Sequence, residues 1–143
     1  MLSYSVLWPI HGILMGLAFF LMLAAMLIAR YGKKKRWWYT VHKRLNITGS
    51  LGAVAAMVIA VIMVSLSHGI HLASTHAVLG AVTFLFIVLT PLLGFGIRSR
   101  RVKPAYKKKV RTVHHWFGRI TLVLMAVTLY FGLRISGLIY YLQ

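Results

Sequence analysis

Four apolar runs, from about Val6 to Ala29, Val41 to Leu66, Leu72 to Ile97 and Thr112 to Tyr141, organise the chain. Each is long enough to cross the hydrocarbon core of a bilayer, which takes roughly 20 residues of helix. Inside that core a backbone must satisfy its own N–H and C=O groups, so each run is expected to be a transmembrane helix rather than a loop or an open strand. The first run contains no Lys or Arg. It lacks the basic start and small-residue cleavage pattern of a signal peptide and is expected to stay in the mature protein. The expected fold class is all-α: an integral membrane four-helix up-down-up-down bundle, with residues 1–143 as one domain.

Charge orients these helices. The chain has 17 Lys and Arg and no Asp or Glu, so no ion pair between side chains can form within it. Fifteen of the 17 cations fall in two stretches, Arg30 to Arg44 and Arg98 to Arg111. Short basic loops stay in the cytoplasm, so both termini are expected outside and both basic loops inside. Trp37, Trp38 and Tyr39 lie within the first loop, an aromatic cluster suited to the headgroup level. Because the cations sit in short loops between apolar spans, they read as topology, and nucleic acid is not an expected partner. Cysteine is absent, which excludes disulfides, iron–sulfur clusters on cysteine, thiolate zinc sites and covalently attached haem. Nothing resembles a phosphate cradle or an activated nucleophile, and paired-carboxylate catalysis is ruled out by composition.

What remains is histidine chemistry. His11, His42, His76 and His114 each lie near the start of a different span. In an alternating bundle the first and third spans start at one membrane face and the second and fourth at the other. His11 is therefore expected level with His76, and His42 with His114. Those are also the diagonal pairs, and diagonal helices leave more room for two imidazoles and a metal than neighbours at roughly 8–10 Å. Two non-covalent b-type haems with bis-histidine ligation follow, one per pair. On the second span the level facing His76 is expected about 18–20 residues beyond His42, placing the irons roughly 20–30 Å apart.

Gly80 and Gly118 follow His76 and His114 by four residues, so each is expected to leave a recess beside the imidazole of its own helix. His115 competes with His114, but only His114 repeats the spacing to glycine found in HAVLG. Small residues accompany the histidines on the first two spans: Met15, Ala18, Met22, Ala25 and Ala29 with His11, and Asn46, Gly49, Ala53, Ala56 and Ala60 with His42. Close helix packing accounts for most of that stripe. Arg119 and Arg134 need anions where no carboxylate side chain exists, and haem propionates can supply them at different levels. Lipid phosphate is the alternative for Arg134. Pro91 is expected to kink the third span. His68 and His71, in the uncharged second connector, read as ordinary loop residues or as the lining of an outer acceptor site.

The segments HGILMGLAFFLMLAAMLIARY, WWYTVH, HAVLG and HHWFGR, in that order, resemble the membrane core of the cytochrome b561 family, and most closely the cores of fused dopamine-β-monooxygenase-N-terminal/cytochrome b561 proteins. The resemblance covers essentially the whole chain. It implies a di-haem core with ligands at His11, His42, His76 and His114. It also implies transmembrane electron transfer, commonly from ascorbate or a similar donor to a ferric chelate, monodehydroascorbate or a partner domain. Three functions stay open at this point: an electron conduit, a ferric or quinone reductase with its own substrate pocket, and a non-redox basic membrane protein. The expected partners are membrane lipid and a small-molecule electron donor or acceptor or a redox protein, with a homodimer left open.

Overall fold

A computed structural model describes residues 4–137. It contains four helices, α1 (Tyr4–Tyr31), α2 (Trp38–Leu66), α3 (Thr75–Arg98) and α4 (Pro104–Ile135), all long and apolar enough to cross a membrane. Among the described residues there are no strands. Their outward faces carry large apolar side chains such as Ile13, Phe20, Leu51, Leu85 and Val123, the arrangement expected of helices solvated by lipid.

Helix ends depart from the apolar runs where local chemistry overrides hydropathy. α3 begins at Thr75 instead of Leu72, because the Ser74 side chain accepts a 3.2 Å hydrogen bond from the Ala77 amide and caps the first turn. Leu72 itself is left-handed, with φ 62°, and cannot belong to the helix. α4 begins eight residues earlier than expected. Pro104 occupies its first turn, where the missing N–H costs nothing, and the basic stretch Lys107 to Arg111 is helical. The helix ends at Ile135, and Gly137, with φ 78°, takes the left-handed position just beyond it. The expected end at Tyr141 lies outside the described residues. α3 runs through Pro91 from Thr75 to Arg98 as one helix.

The four helices form two antiparallel hairpins, α1 with α2 and α3 with α4, joined through lighter α1/α4 and α2/α3 seams. α1 and α3 face each other across one diagonal, α2 and α4 across the other. In the first hairpin Gly49 lets the backbones close in: a Cβ there would lie 3.2 Å from the Ala18 carbonyl oxygen and 2.9 Å from Met22 Cγ. The second hairpin is tied by hydroxyl pairs, Thr83 to Thr128 and Thr90 to Thr121, each 2.9 Å between oxygens. Buried Met22, Ala53, Ile87 and Met125 join the hairpins at mid-bundle. At the basic end Arg98 stacks over Tyr39 at 4.4 Å and Lys43 over Phe95 at 5.7 Å, which clasps α2 to α3.

Candidate functional site

The bundle brings the four histidines together in two pairs. His11 and His76 have ring centroids 6.2 Å apart and planes at 89°; for His42 and His114 the values are 6.3 Å and 88°. Each ring is held through Nδ1, which donates to a carbonyl on the neighbouring helix of its own hairpin. His11 bonds Ala56 at 2.8 Å, His42 bonds Ala25 at 2.8 Å, His76 bonds Thr128 at 3.0 Å and His114 bonds Thr90 at 3.0 Å. Nε2 of all four makes no hydrogen bond to a described residue. A histidine whose Nδ1–H is fixed by a carbonyl presents Nε2 as a lone pair, the usual state of a metal-ligating imidazole.

These residues fit a haem. Two metal–imidazole bonds of about 2 Å, together with the distance from each ligating nitrogen to its ring centre, span roughly 6 Å, the separation seen in both pairs. Among the described residues no cluster of three or more His, Cys, Asp or Glu exists, so a metal at either pair would need its remaining ligands from a non-protein group such as a porphyrin. Around the His42/His114 pair opens a cavity of about 630 Å³. Its walls include Asn46, Gly94, Gly118, His115 and six cations, Arg30, Lys33, Lys43, Arg98, Arg111 and Arg119, without one acidic group. Such a lining suits a large apolar ring that carries anionic substituents.

Arg119 lines this cavity and stacks over Trp116 at 5.2 Å. Arg134 is exposed in the last turn of α4, two residues beyond Gly132, and so lies at the level of His76. The two arginines therefore stand at different levels, one near each pair. His115 lines the cavity, but its neighbour His114 is the one that faces His42 and bonds Thr90. His68 and His71 are exposed in the second connector, where His71 Nε2 lies 3.3 Å from the Ser65 hydroxyl.

One geometric expectation, the residue spacing between the levels, is corrected, and one pair of glycine contacts is added. Gly80 and Gly118 lie along the α3/α4 seam, where a Cβ would meet Thr128 Cγ2 at 3.8 Å or Thr90 Cγ2 at 3.9 Å, and Gly118 also lines the cavity around His42 and His114. The glycines against the rings are Gly132, beside His76, and Gly94, beside His114. The levels are also fewer residues apart than the expected 18–20. On every helix the carbonyl that receives the hairpin neighbour's imidazole lies 14 residues after that helix's own histidine. The pairs are thus roughly 21 Å apart along the helices, at the short end of the expected distance. Two of the histidines stand well inside their helices, His11 seven residues into α1 and His114 ten into α4, whereas His42 is four residues into α2 and His76 is the second residue of α3.

A signal for these missed positions is present in the sequence. Residues 76–94 and 114–132 share the pattern His-x3-Gly-x2-Thr-x6-Thr-x3-Gly. α1 and α2 carry the same frame with small residues, as His11, Ala18, Ala25 and Ala29 and as His42, Gly49, Ala56 and Ala60. One register therefore serves four helices: the seventh residue after each histidine is buried at a hairpin seam, and the fourteenth supplies the carbonyl.

Four membrane-crossing helices with two half-buried histidine pairs at separate levels define a multi-pass membrane protein of the haem-b electron-transfer class. The profile of the eukaryotic cytochrome b561 family matches residues 10–139, and the chain belongs to that family. Comparisons with curated proteins and with solved structures return no match.

Proposed function

We propose that this chain conducts electrons across the bilayer between two b-type haems, one held by His11 and His76 and the other by His42 and His114. The supporting observation is the pair of crossed imidazoles, repeated at two levels, with all four Nδ1 atoms bonded to backbone carbonyls. Bound haem would supply a one-electron redox centre at each level. The chain's own residues orient the ligands, exclude water and set the spacing. Thr83, Thr90, Thr121 and Thr128 are buried between the levels and satisfy one another or their own helix, so no open proton path accompanies the electrons. Arg119, on the cavity wall, would hold the anionic substituents of a haem at the basic end, and Arg134 those of a haem at the other level. Gly80 and Gly118 keep the α3/α4 seam thin where the haems lie. The basic loops face the cytoplasm and both termini the opposite side.

The electron donor is a small reductant, a quinol or a partner protein, and the acceptor lies across the membrane. Proteoliposomes with ascorbate inside and an impermeant acceptor outside test this reading. Transfer is expected from the intact protein and is expected to fail for His42→Ala. Equal rates for the two proteins in sealed vesicles would remove the basic-end pair from the path and overturn the proposal.

A further inference from the structure

α3 and α4 differ from α1 and α2 along the shared frame, and the last place in it bears on the histidines directly. Eighteen residues after the histidine, α1 and α2 carry Ala29 and Ala60, whereas α3 and α4 carry Gly94 and Gly132. At these two glycines the neighbouring helix's imidazole touches the backbone. A Cβ on Gly132 would lie 2.9 Å from His76 Cε1 and 3.3 Å from its Nδ1; on Gly94 the corresponding distances to His114 are 3.2 Å and 3.6 Å. Each glycine stands one helical turn after the threonine whose carbonyl holds that same ring, Thr128 for His76 and Thr90 for His114. Carbonyl and bare glycine backbone together enclose the ring edge that carries Nδ1 and Cε1.

We infer that Gly132 and Gly94 are positioning residues, each a seat that aims Nε2 of one histidine at its partner across the bundle. This rests on the haem reading of the two pairs. The ring cannot yield to an added methyl without lengthening its Nδ1–H bond, because the donor and the crowded carbon are adjacent ring atoms. The seam cannot simply open either, since Thr83 with Thr128 and Thr90 with Thr121 pin the two helices at van der Waals range. A methyl at the seat therefore rotates the ring and misdirects the Nε2 lone pair. The effect is local to one level, and the tighter contact at Gly132 makes His76 the more sensitive ligand.

Gly132→Ala and Gly94→Ala test the inference, with Gly52→Ala, whose Cβ would meet nothing within 4 Å, and Gly96→Ala, at 3.7 Å from Val110, as controls. In purified protein Gly132→Ala is expected to lose the His11/His76 haem, or to convert it from a six-coordinate low-spin to a high-spin spectrum, while the other haem stays low-spin. Gly94→Ala is expected to do the reverse, more weakly. Placing each substitution on a His42→Ala background assigns the level: Gly132→Ala should then remove the remaining haem and Gly94→Ala should leave it. Two low-spin haems in both variants, or equal loss of both haems in each, would overturn the inference. A parent protein that binds no haem would instead overturn the haem reading. Ring-nitrogen NMR of the haem-free protein then decides the seat by itself: the Nδ1–H···O signal of His76 should be lost in Gly132→Ala and kept in Gly94→Ala, and an unchanged signal in both refutes it.

Discussion

Nδ1 of each core histidine is bonded to a backbone carbonyl, and this sets what single substitutions should do. His114→Ala removes a ring that faces His42, whereas His115→Ala removes an exposed ring on the cavity wall, tilted 48° to His114 at 6.1 Å and without a backbone carbonyl bond like that of His114. The first is expected to halve the bound haem and the second to leave both, as read by pyridine haemochrome content per chain. If His115→Ala halves the haem and His114→Ala does not, the ligand is misassigned. Thr90 separates backbone from side-chain roles. Its carbonyl holds His114 while its hydroxyl pairs with Thr121 and bonds the Phe86 carbonyl. Thr90→Val keeps the carbonyl, so haem content should persist. A double-mutant cycle of Thr90→Val with Thr121→Val should give a coupling of about 0.6 kcal/mol, the usual size for hydrogen bonds between helices in a membrane. Loss of haem from Thr90→Val alone would show that the hydroxyl, and not only the carbonyl, places the ring.

At the scale of elements, the two hairpins solve one packing problem in different ways. α3 and α4 rely on paired hydroxyls, while α1 and α2 rely on the absence of a side chain at Gly49. Gly49→Ala would place a methyl 3.2 Å from the Ala18 carbonyl, a backbone atom that cannot move without its helix, and 2.9 Å from the more compliant Met22. Overpacking of this kind costs about 1–3 kcal/mol. The variant should therefore unfold at a lower temperature in detergent than the parent. Gly12→Ala adds a methyl in open space and removes a helix-weakening glycine, so its unfolding temperature should be equal or higher. Equal temperatures for Gly49→Ala and the parent would mean that the hairpin relaxes freely.

For the molecule as a whole, charge and packing act on different questions. The fifteen cations of the two basic stretches are expected to set orientation through the positive-inside bias, a question separate from how the histidines pair. Single cysteines at Ser5 and Ser99 measure it in a chain that has no native cysteine. Ser5 is expected to react with an impermeant maleimide from outside intact cells and Ser99 only after lysis. The opposite pattern would invert the topology while leaving the histidine pairs intact.

Four spans, their alternation and the pairing of His11 with His76 and His42 with His114 were legible in the chain. Hydropathy is a property of consecutive residues, and alternation alone sorts four histidines into two levels. Helix ends were less legible, because Ser74 and Pro104 act through capping and first-turn chemistry that a hydropathy profile does not register. Which glycine meets which ring could not be read from spacing within one helix. Spacing within α3 links His76 to Gly80, but it does not register that the ring also reaches across the seam to Thr128 and Gly132. That contact depends on the offset between α3 and α4, which is a relation between elements. Composition and periodicity thus determined a membrane bundle with two histidine pairs; the hairpin register, through the threonine ties and the close approach at Gly49, decided which backbone holds each ring.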